Sequence, residues 1–333
     1  MTIEMSVYNV ADYIDAAIKS IRNQSYSNLD ILIIDDASND TTLEIAERHA
    51  AEDSRIRIIR QKTNKGLSVG RNIGIRDAKG KYLIMLDGDD LFDPDMVASA
   101  VELAEKDKAQ MVMWDYFPFR NEVEINNSIN VPSALEQLVD LDLREKRHAL
   151  VKRPGFMWTH MIRVDALRKL KITFPIGLTK QDIPIHWQLV TQLDKISIVP
   201  KKMAFYRIQP TATSCRKDKS VFALATVMDI TGDYLTKAGL MNEYSIEFWT
   251  QRLSLLHGMY DFIKPEHKEE AMSIVKERLM NSEATVFIQN NASLLSFRTK
   301  LFYGMLGGNT IDAILYRLLI VFRAIYRKVK SIV

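Results

Sequence analysis

Short apolar runs alternate with stretches of helical period through the first third of the chain. Strands are predicted over "TIEMSV" (2–7), "DILIID" (30–35), "IRIIRQ" (56–61), "KYLIML" (81–86) and "QMVMW" (110–114). Between them, apolar residues recur at three- and four-residue spacing near 12–23, 41–52, 67–78 and 94–106, the mark of helices with one buried face. Strand, helix, strand repeated four times predicts a largely parallel sheet with helices on both faces. From 116 to 215 the pattern is less regular, with strands at "KISIV" (195–199) and "MAFYRI" (203–208), and from 216 onward it reads as helices. Asp40 before "TTLEIAERHA" and Asp93 before Pro94 are predicted helix starts, and Asp90 is read as a further cap.

At 333 residues, with 47% hydrophobic and 26% charged residues, the chain has room for a large α/β domain and a smaller appendage. The net charge of +3 gives no overall footprint for nucleic acid. Cys215 is the single cysteine, which excludes an intrachain disulfide and multi-cysteine metal sites and fits a cytosolic setting. The beginning "MTIEMSVYNV" shows no secretory leader, and no run is apolar enough to span a bilayer.

The chemistry concentrates at predicted strand ends, where α/β sheets bind ligands. "ILIIDDAS" ends in Asp35 and Asp36, and "YLIMLDGDD" ends in Asp87, Gly88, Asp89 and Asp90. Two carboxylates about 4 Å apart repel by roughly 4 kcal/mol near a protein surface. A divalent cation turns that repulsion into attraction, and all-oxygen ligands suit Mg²⁺ or Mn²⁺. The bland alternative leaves Asp87 and Asp89 solvated in a loop. A strand ending in two aspartates, with another acidic strand end about 50 residues on, also resembles a receiver domain, although here a strand and a helix precede the double aspartate.

Taken together, "SVYNVADYIDAAIKSIRNQSYSNLDILIIDDASND", "TNKGLSVGRNIGIRDAKGKYLIMLDGDD" and "KQDIPIHW" resemble family 2 glycosyltransferases over about residues 1–215. The resemblance implies the GT-A fold, a Rossmann-like α/β arrangement. It divides the chain into a donor half (1–115), an acceptor half (116–215) and a helical C-terminal region (216–333). It implies transfer of a sugar from a nucleotide-diphosphate donor, commonly a UDP-sugar, with inversion and with Mn²⁺ or Mg²⁺ as cofactor. Tyr8 would stack on the base and Asp36 would accept a hydrogen bond from it, while Asn64, Gly66 and Arg71 match the family's loop and helix start beside the nucleotide. Asp87 would touch the ribose or metal, Asp89 would hold the metal, and Arg207 would reach the diphosphate. Asp182, beside Gln181 where the family usually has glutamate, would be the general base.

Each of these residues has a structural alternative: Tyr8 as a core aromatic, Asp36 and Asp182 as caps, Asn64 and Gly66 as turn residues, Arg71 and Arg207 as surface charges. Trp158 and Trp187 are either acceptor-stacking or core residues, and His160 and His186 are either structural or contact the acceptor or metal. Ser6 stands in place of a proline, and Glu4 interrupts a strand that the family keeps apolar and that lies unusually near the start, which leaves two readings open, a damaged or weakened first strand and a wrongly chosen start codon.

Residues 310–333, "TIDAILYRLLIVFRAIYRKVKSIV", gather Ile311, Ile314, Leu315, Leu318 and later apolar residues on one helical face. Arg317, Arg323, Arg327, Lys328 and Lys330 gather on the other. This is the profile of a helix lying in an anionic membrane interface, or of one docked on its own protein. With the resemblance, it implies a glycan or lipid-linked glycan acceptor in surface polysaccharide synthesis and a peripheral place on the inner membrane face. The alternatives are a nucleotidyltransferase, against which the chain lacks a glycine-rich basic loop after the first strand, and a non-catalytic nucleotide-sugar-binding module.

Overall fold

The computed structural model describes residues 1–121, 124–125, 132–209, 215–316 and 318–319. The chain divides into two compact units, Met1–Cys215 and Arg216–Val333.

The first unit is built on an eight-stranded mixed sheet. Its strands are β1 (Thr2–Val7), β2 (Asp30–Asp35), β3 (Ile56–Arg60), β4 (Tyr82–Asp87), β5 (Leu91–Phe92), β6 (Met111–Phe119), β7 (His160–Arg163) and β8 (Ile196–Arg207), in the order β3-β2-β1-β4-β7-β6-β8-β5. β1 to β4 are parallel, β7 runs antiparallel to both of its neighbours, and β5 runs antiparallel to β8. Helices α1 (Ala11–Arg22), α2 (Thr42–Glu52), α3 (Leu67–Asp77) and α4 (Met96–Asp107) follow the successive strands. Three further helices, α5 (Leu143–Leu150), α6 (Val164–Lys169) and α7 (Asp182–Gln192), belong to the second half of the unit.

β1 is nevertheless formed in full, pairing with β2 over Thr2–Val7 and with β4 over Thr2–Ser6. Its alternation explains why. Ile3, Met5 and Val7 enter a continuous apolar core with Ile31, Ile33, Ile84 and Leu86, while Glu4 and Ser6 point to the opposite face. Each such fully buried aliphatic side chain contributes about 1.5–3 kcal/mol. The runs 195–199 and 203–208 are one strand, β8, continuous through Pro200 and Lys201. The start of α4 also differs from expectation. The helix begins at Met96, Pro94 lies before it, and the Asp93 carboxylate accepts from the Asp95 amide.

The second unit consists of helices α8 (Ala223–Lys237), α9 (Met241–Phe262), α10 (Lys268–Leu279), α11 (Ser282–Asn290) and α12 (Phe297–Leu306), with helical residues 310–316 beyond. Asp229 of α8 accepts from Arg252 of α9 (2.6 Å) and Arg278 of α10 (2.8 Å), joining three helices. Much of the amphipathic 310–333 segment lies outside the described residues: Arg317 and 320–333, with Arg323, Arg327, Lys328 and Lys330.

Candidate active site

The carboxyl ends of β1, β2 and β4 lie side by side, because β1 pairs with β2 and β4 in parallel register, Val7 opposite Asp35 and Ser6 opposite Asp87. The loops leaving β1 and β2 are tied together: the Asn9 amide donates to Ser38 Oγ at 3.1 Å, and the Asn39 amide to Asn9 Oδ1 at 3.0 Å. Asn9 and Ala37 adopt left-handed backbone conformations (φ 51° and 62°). For alanine that costs of order 1–3 kcal/mol, a strain typical of functional loops.

Tyr8 stands on this rim 45% exposed, so it is not a core aromatic. Asp36 is buried and its carboxylate is engaged by one loop: Oδ1 accepts from Gln61 Nε2 and the Lys65 amide, both at 2.8 Å, and Oδ2 from the Gly66 amide at 2.7 Å. Asp36 therefore shapes the 61–66 loop, whose Asn64 is exposed and whose Gly66 turns into α3 with φ 85°. That angle favours glycine.

Arg71 is 2% exposed and is not a surface charge. Its Nη2 donates to Asp87 Oδ1 at 3.1 Å, its Nη1 bonds Asp182 Oδ1, and its guanidinium lies over the Phe174 ring at 5.5 Å. Burial acts to lower its pKa, but the charges of Asp182, Asp87 and Glu4 outweigh it and hold the guanidinium above its ordinary value. The neighbouring Asn72 fixes the segment that leads to Asp182, exchanging two hydrogen bonds with the Phe174 backbone at 2.8 and 3.0 Å. Asn72 lies in the same "NKGLSVGRN" stretch as Arg71, which is the one sequence signal for its role.

Asp182 opens α7 at its first helical position and makes no cap. Its carboxylate faces Arg71 and the Met157 amide, and burial raises its pKa despite the arginine. Before it, Lys180 is left-handed (φ 60°), turning the chain into the helix.

Just beyond β4, Asp89 is largely enclosed; burial, then the Asp87 charge, pushes its pKa up to about 6. Asp89 Oδ2 accepts from Gln209 Nε2 at 2.5 Å. Asp90 caps no helix. It is buried, its Oδ1 accepts from the Arg207 amide at 2.8 Å, and its Oδ2 has no partner. Burial and the Asp89 and Asp87 charges raise the Asp90 pKa well above the ordinary carboxylate range. Arg207 also donates from Nε to the Asp89 carbonyl at 2.9 Å and lies over the rings of Phe119 (4.6 Å) and Tyr13 (5.2 Å), so it locks the acidic loop to β8.

A divalent cation fits this donor set. Among the described residues no group of three His, Cys, Asp or Glu could enclose a metal. Asp87 and Asp89, whose charges repel each other, are the carboxylates that would hold the cation beside substrate phosphates.

Trp158 and Trp187 are buried and present no ring to a sugar. His160 and His186 are buried against each other (Nε2 to Nδ1, 3.1 Å), and each meets a backbone carbonyl, of Phe156 and Leu150 respectively. Burial drives their pKa values down to about 3 and about 4, so both are neutral and structural.

The model of the family described as glycosyl transferase family 2 matches residues 2–170, which include the ends of β1, β2 and β4, the 61–66 loop and α3 but not the Phe174 segment, α7 or β8. The chain belongs to this family. It is similar to the uncharacterized glycosyltransferase EpsJ of Bacillus subtilis, 27% identical over 64% of this chain and 62% of that one. It is also similar to the Streptococcus pneumoniae glycosyltransferase GlyA, 27% identical over 84% of this chain and 41% of the relative. The chain thus spans less than two thirds of either relative. Among solved structures, S. aureus TarS in complex with UDP matches with a TM-score of 0.66 at 15% identity, covering 95% of this chain and 88% of that one. The fold is GT-A, an α/β architecture followed by C-terminal helices, and membership of the glycosyl transferase family makes the chain a transferase. The receiver-domain and nucleotidyltransferase readings fall with that membership.

Proposed function

We propose that this glycosyltransferase inverts the anomeric centre, depends on a divalent metal, and moves a sugar from a UDP-sugar to a hydroxyl of a lipid-linked glycan during surface polysaccharide synthesis. The observation that carries the reading is the buried Arg71 bridge, which joins Asp87 on the donor side to Asp182 on the acceptor side. Residues 1–115 form the donor half and 116–215 the acceptor half. Tyr8 stacks on the base, Asp36 and the Asn64–Gly66 loop enclose the nucleoside, and Arg207 stands beside the diphosphate.

Asp182, held by Arg71 and the Met157 amide, accepts the proton of the acceptor hydroxyl as its oxygen attacks the anomeric carbon and the bond to the diphosphate breaks. Burial raises the basicity of this carboxylate, and Arg71 keeps it ionised and aimed. Asp87 and Asp89 would hold Mn²⁺ or Mg²⁺, which neutralises charge developing on the leaving diphosphate. UDP as nucleotide draws support from TarS, solved with UDP and with UDP-GlcNAc. Metal use draws support from the Pyrobaculum calidifontis mannosyltransferase PcManGT, solved with GDP-Man and Mn²⁺ (TM-score 0.52, 15% identity). The lipid-linked acceptor rests on the C-terminal segment: Ile311, Ile314, Leu315 and Leu318 form one exposed helical face ahead of a basic tail.

The test is transfer from a panel of nucleotide sugars, with and without Mn²⁺, by the wild type and Asp182→Asn. The expected result is metal-dependent turnover, with the variant slower by about 10²–10⁴-fold at an unchanged donor KM. Unchanged turnover in Asp182→Asn sinks its role as base, and a wild type inert with every donor favours a binding module.

A further inference from the structure

Glu4 is a buried charge that the chemistry above leaves unused. Glu4 and Ser6 lie on the face of β1 covered by α3, and parallel register places Met85 and Asp87 of β4 and Leu32 and Ile34 of β2 on that same face. The helix meets them through glycines. A Cβ on Gly74 would lie 2.5 Å from Glu4 Cγ, and one on Gly70 would lie 2.0 Å from Ser6 Oγ. Arg71 sits between these two seats. The Ser6 hydroxyl donates to Glu4 Oε1, while Glu4 Oε2 is buried without a partner. Of the charged groups packed around Glu4, α3 contributes Arg71, whose charge attracts it, β4 contributes Asp87, whose charge repels it, and β2 offers only apolar side chains on this face. One guanidinium therefore serves three carboxyls: Asp87 and Asp182 in direct contact, and Glu4 through space.

We propose that Glu4 is a positioning residue for the transfer reaction. By drawing on the charge of Arg71 from behind, it loosens that residue's hold on Asp182 enough for the carboxylate to act as a base. Offsetting part of the positive charge beside Asp182 favours its uptake of a proton, and Glu4 is placed to do so without touching substrate. This inference rests on the reading of Asp182 as the base.

The experiment compares wild type, Glu4→Gln and Glu4→Asp in the full chain, measuring kcat, donor KM and thermal unfolding from pH 5.5 to 8.5. Glu4→Gln keeps the shape and the bond from Ser6 but not the charge. At pH 8 it is expected to lower kcat at least fivefold, to leave donor KM within twofold, and to unfold no earlier than wild type. The difference in kcat is expected to close toward pH 5.5, and Glu4→Asp is expected to recover part of the rate. Wild-type kcat in Glu4→Gln across the range overturns the proposal, as does an equal loss in both variants accompanied by early unfolding, which marks simple packing. A wild type inert on every donor overturns the reading of Asp182 and takes this proposal with it, whereas an active wild type with an unaffected variant overturns this proposal alone.

Discussion

At the scale of single residues, Glu4 predicts a stability profile of its own. Burial, opposed by the Ser6 hydrogen bond and the Arg71 charge and reinforced by Asp87, pushes its pKa from 4.5 up to about 7. Between those values the folded chain holds a proton that the unfolded chain has released. The stabilisation is therefore complete below about pH 4.5 and lost as pH rises through 7. At about 1.4 kcal/mol per unit, the ionised carboxylate costs the fold roughly 3 kcal/mol. Glu4→Gln is expected to match wild type near pH 4 and to exceed it by up to that amount at pH 8, measured by urea unfolding; equal stability across the range refutes the assignment. Asp87 and Asp89 stand out in the sequence because an apolar strand ends at them, and Asp182 stands out only through the resemblance of "KQDIPIHW" to the family. Their partners do not. Arg71 meets Asp182 across 111 positions, and Asp90 meets Arg207 across 117. Asp90 looks like a cap because "DDLFDPD" offers a local helix start, and only the arrival of β8 shows the stronger claim on it.

At the scale of elements, the glycines of α3 and α9 separate two rules that oppose each other. Alanine is better than glycine in a helix by about 1 kcal/mol. A Cβ added at Gly258 in α9 would meet nothing within 4 Å, so Gly258→Ala is expected to raise stability by up to about that amount. Gly74 of α3 sits against Glu4, so Gly74→Ala must displace the strand or its carboxylate. It is expected to lose about 1–3 kcal/mol, in the range of overpacked cores, and to lose turnover with it. Thermal unfolding of the two variants reads the opposite signs directly, and a stabilised Gly74→Ala would mean that α3 does not lie on β1 as described. The same packing explains which elements the sequence betrays. β1 to β4 are apolar runs bounded by polar turns, and their predicted limits agree with the structure to within a residue or so. β7, only four residues long, and the two-residue β5 are too short to carry a pattern, and both exist because longer strands pair with them. β8 reads as two pieces because Pro200 and two lysines interrupt its apolar run, yet its pairing with β6 resumes beyond them.

At the scale of the whole molecule, the net charge of +3 conceals a strongly basic end. Tyr316 is buried, its hydroxyl bonding Asp261 and lying 2.8 Å from His257 Nε2, so the start of this segment is anchored in the helical unit. Ile311, 69% exposed, and its neighbours at 314, 315 and 318 nevertheless face outward. That combination favours a segment that is rooted in the protein and offers its apolar stripe to something else. It also dictates the truncation. Removing everything from 310 would take Tyr316 and destabilise the unit, whereas removing 320–333 keeps it and deletes Arg323, Arg327, Lys328 and Lys330. Near an anionic surface each such cation contributes about 1 kcal/mol. The shortened chain is therefore expected to bind phosphatidylserine vesicles up to roughly 10³-fold more weakly at low salt in a co-sedimentation assay, with unchanged thermal unfolding. Binding by the full chain should fade as added salt shortens the screening length. Equal binding by the two chains, or full-chain binding to neutral vesicles that is as strong as to anionic ones, would remove the basic tail as the membrane contact.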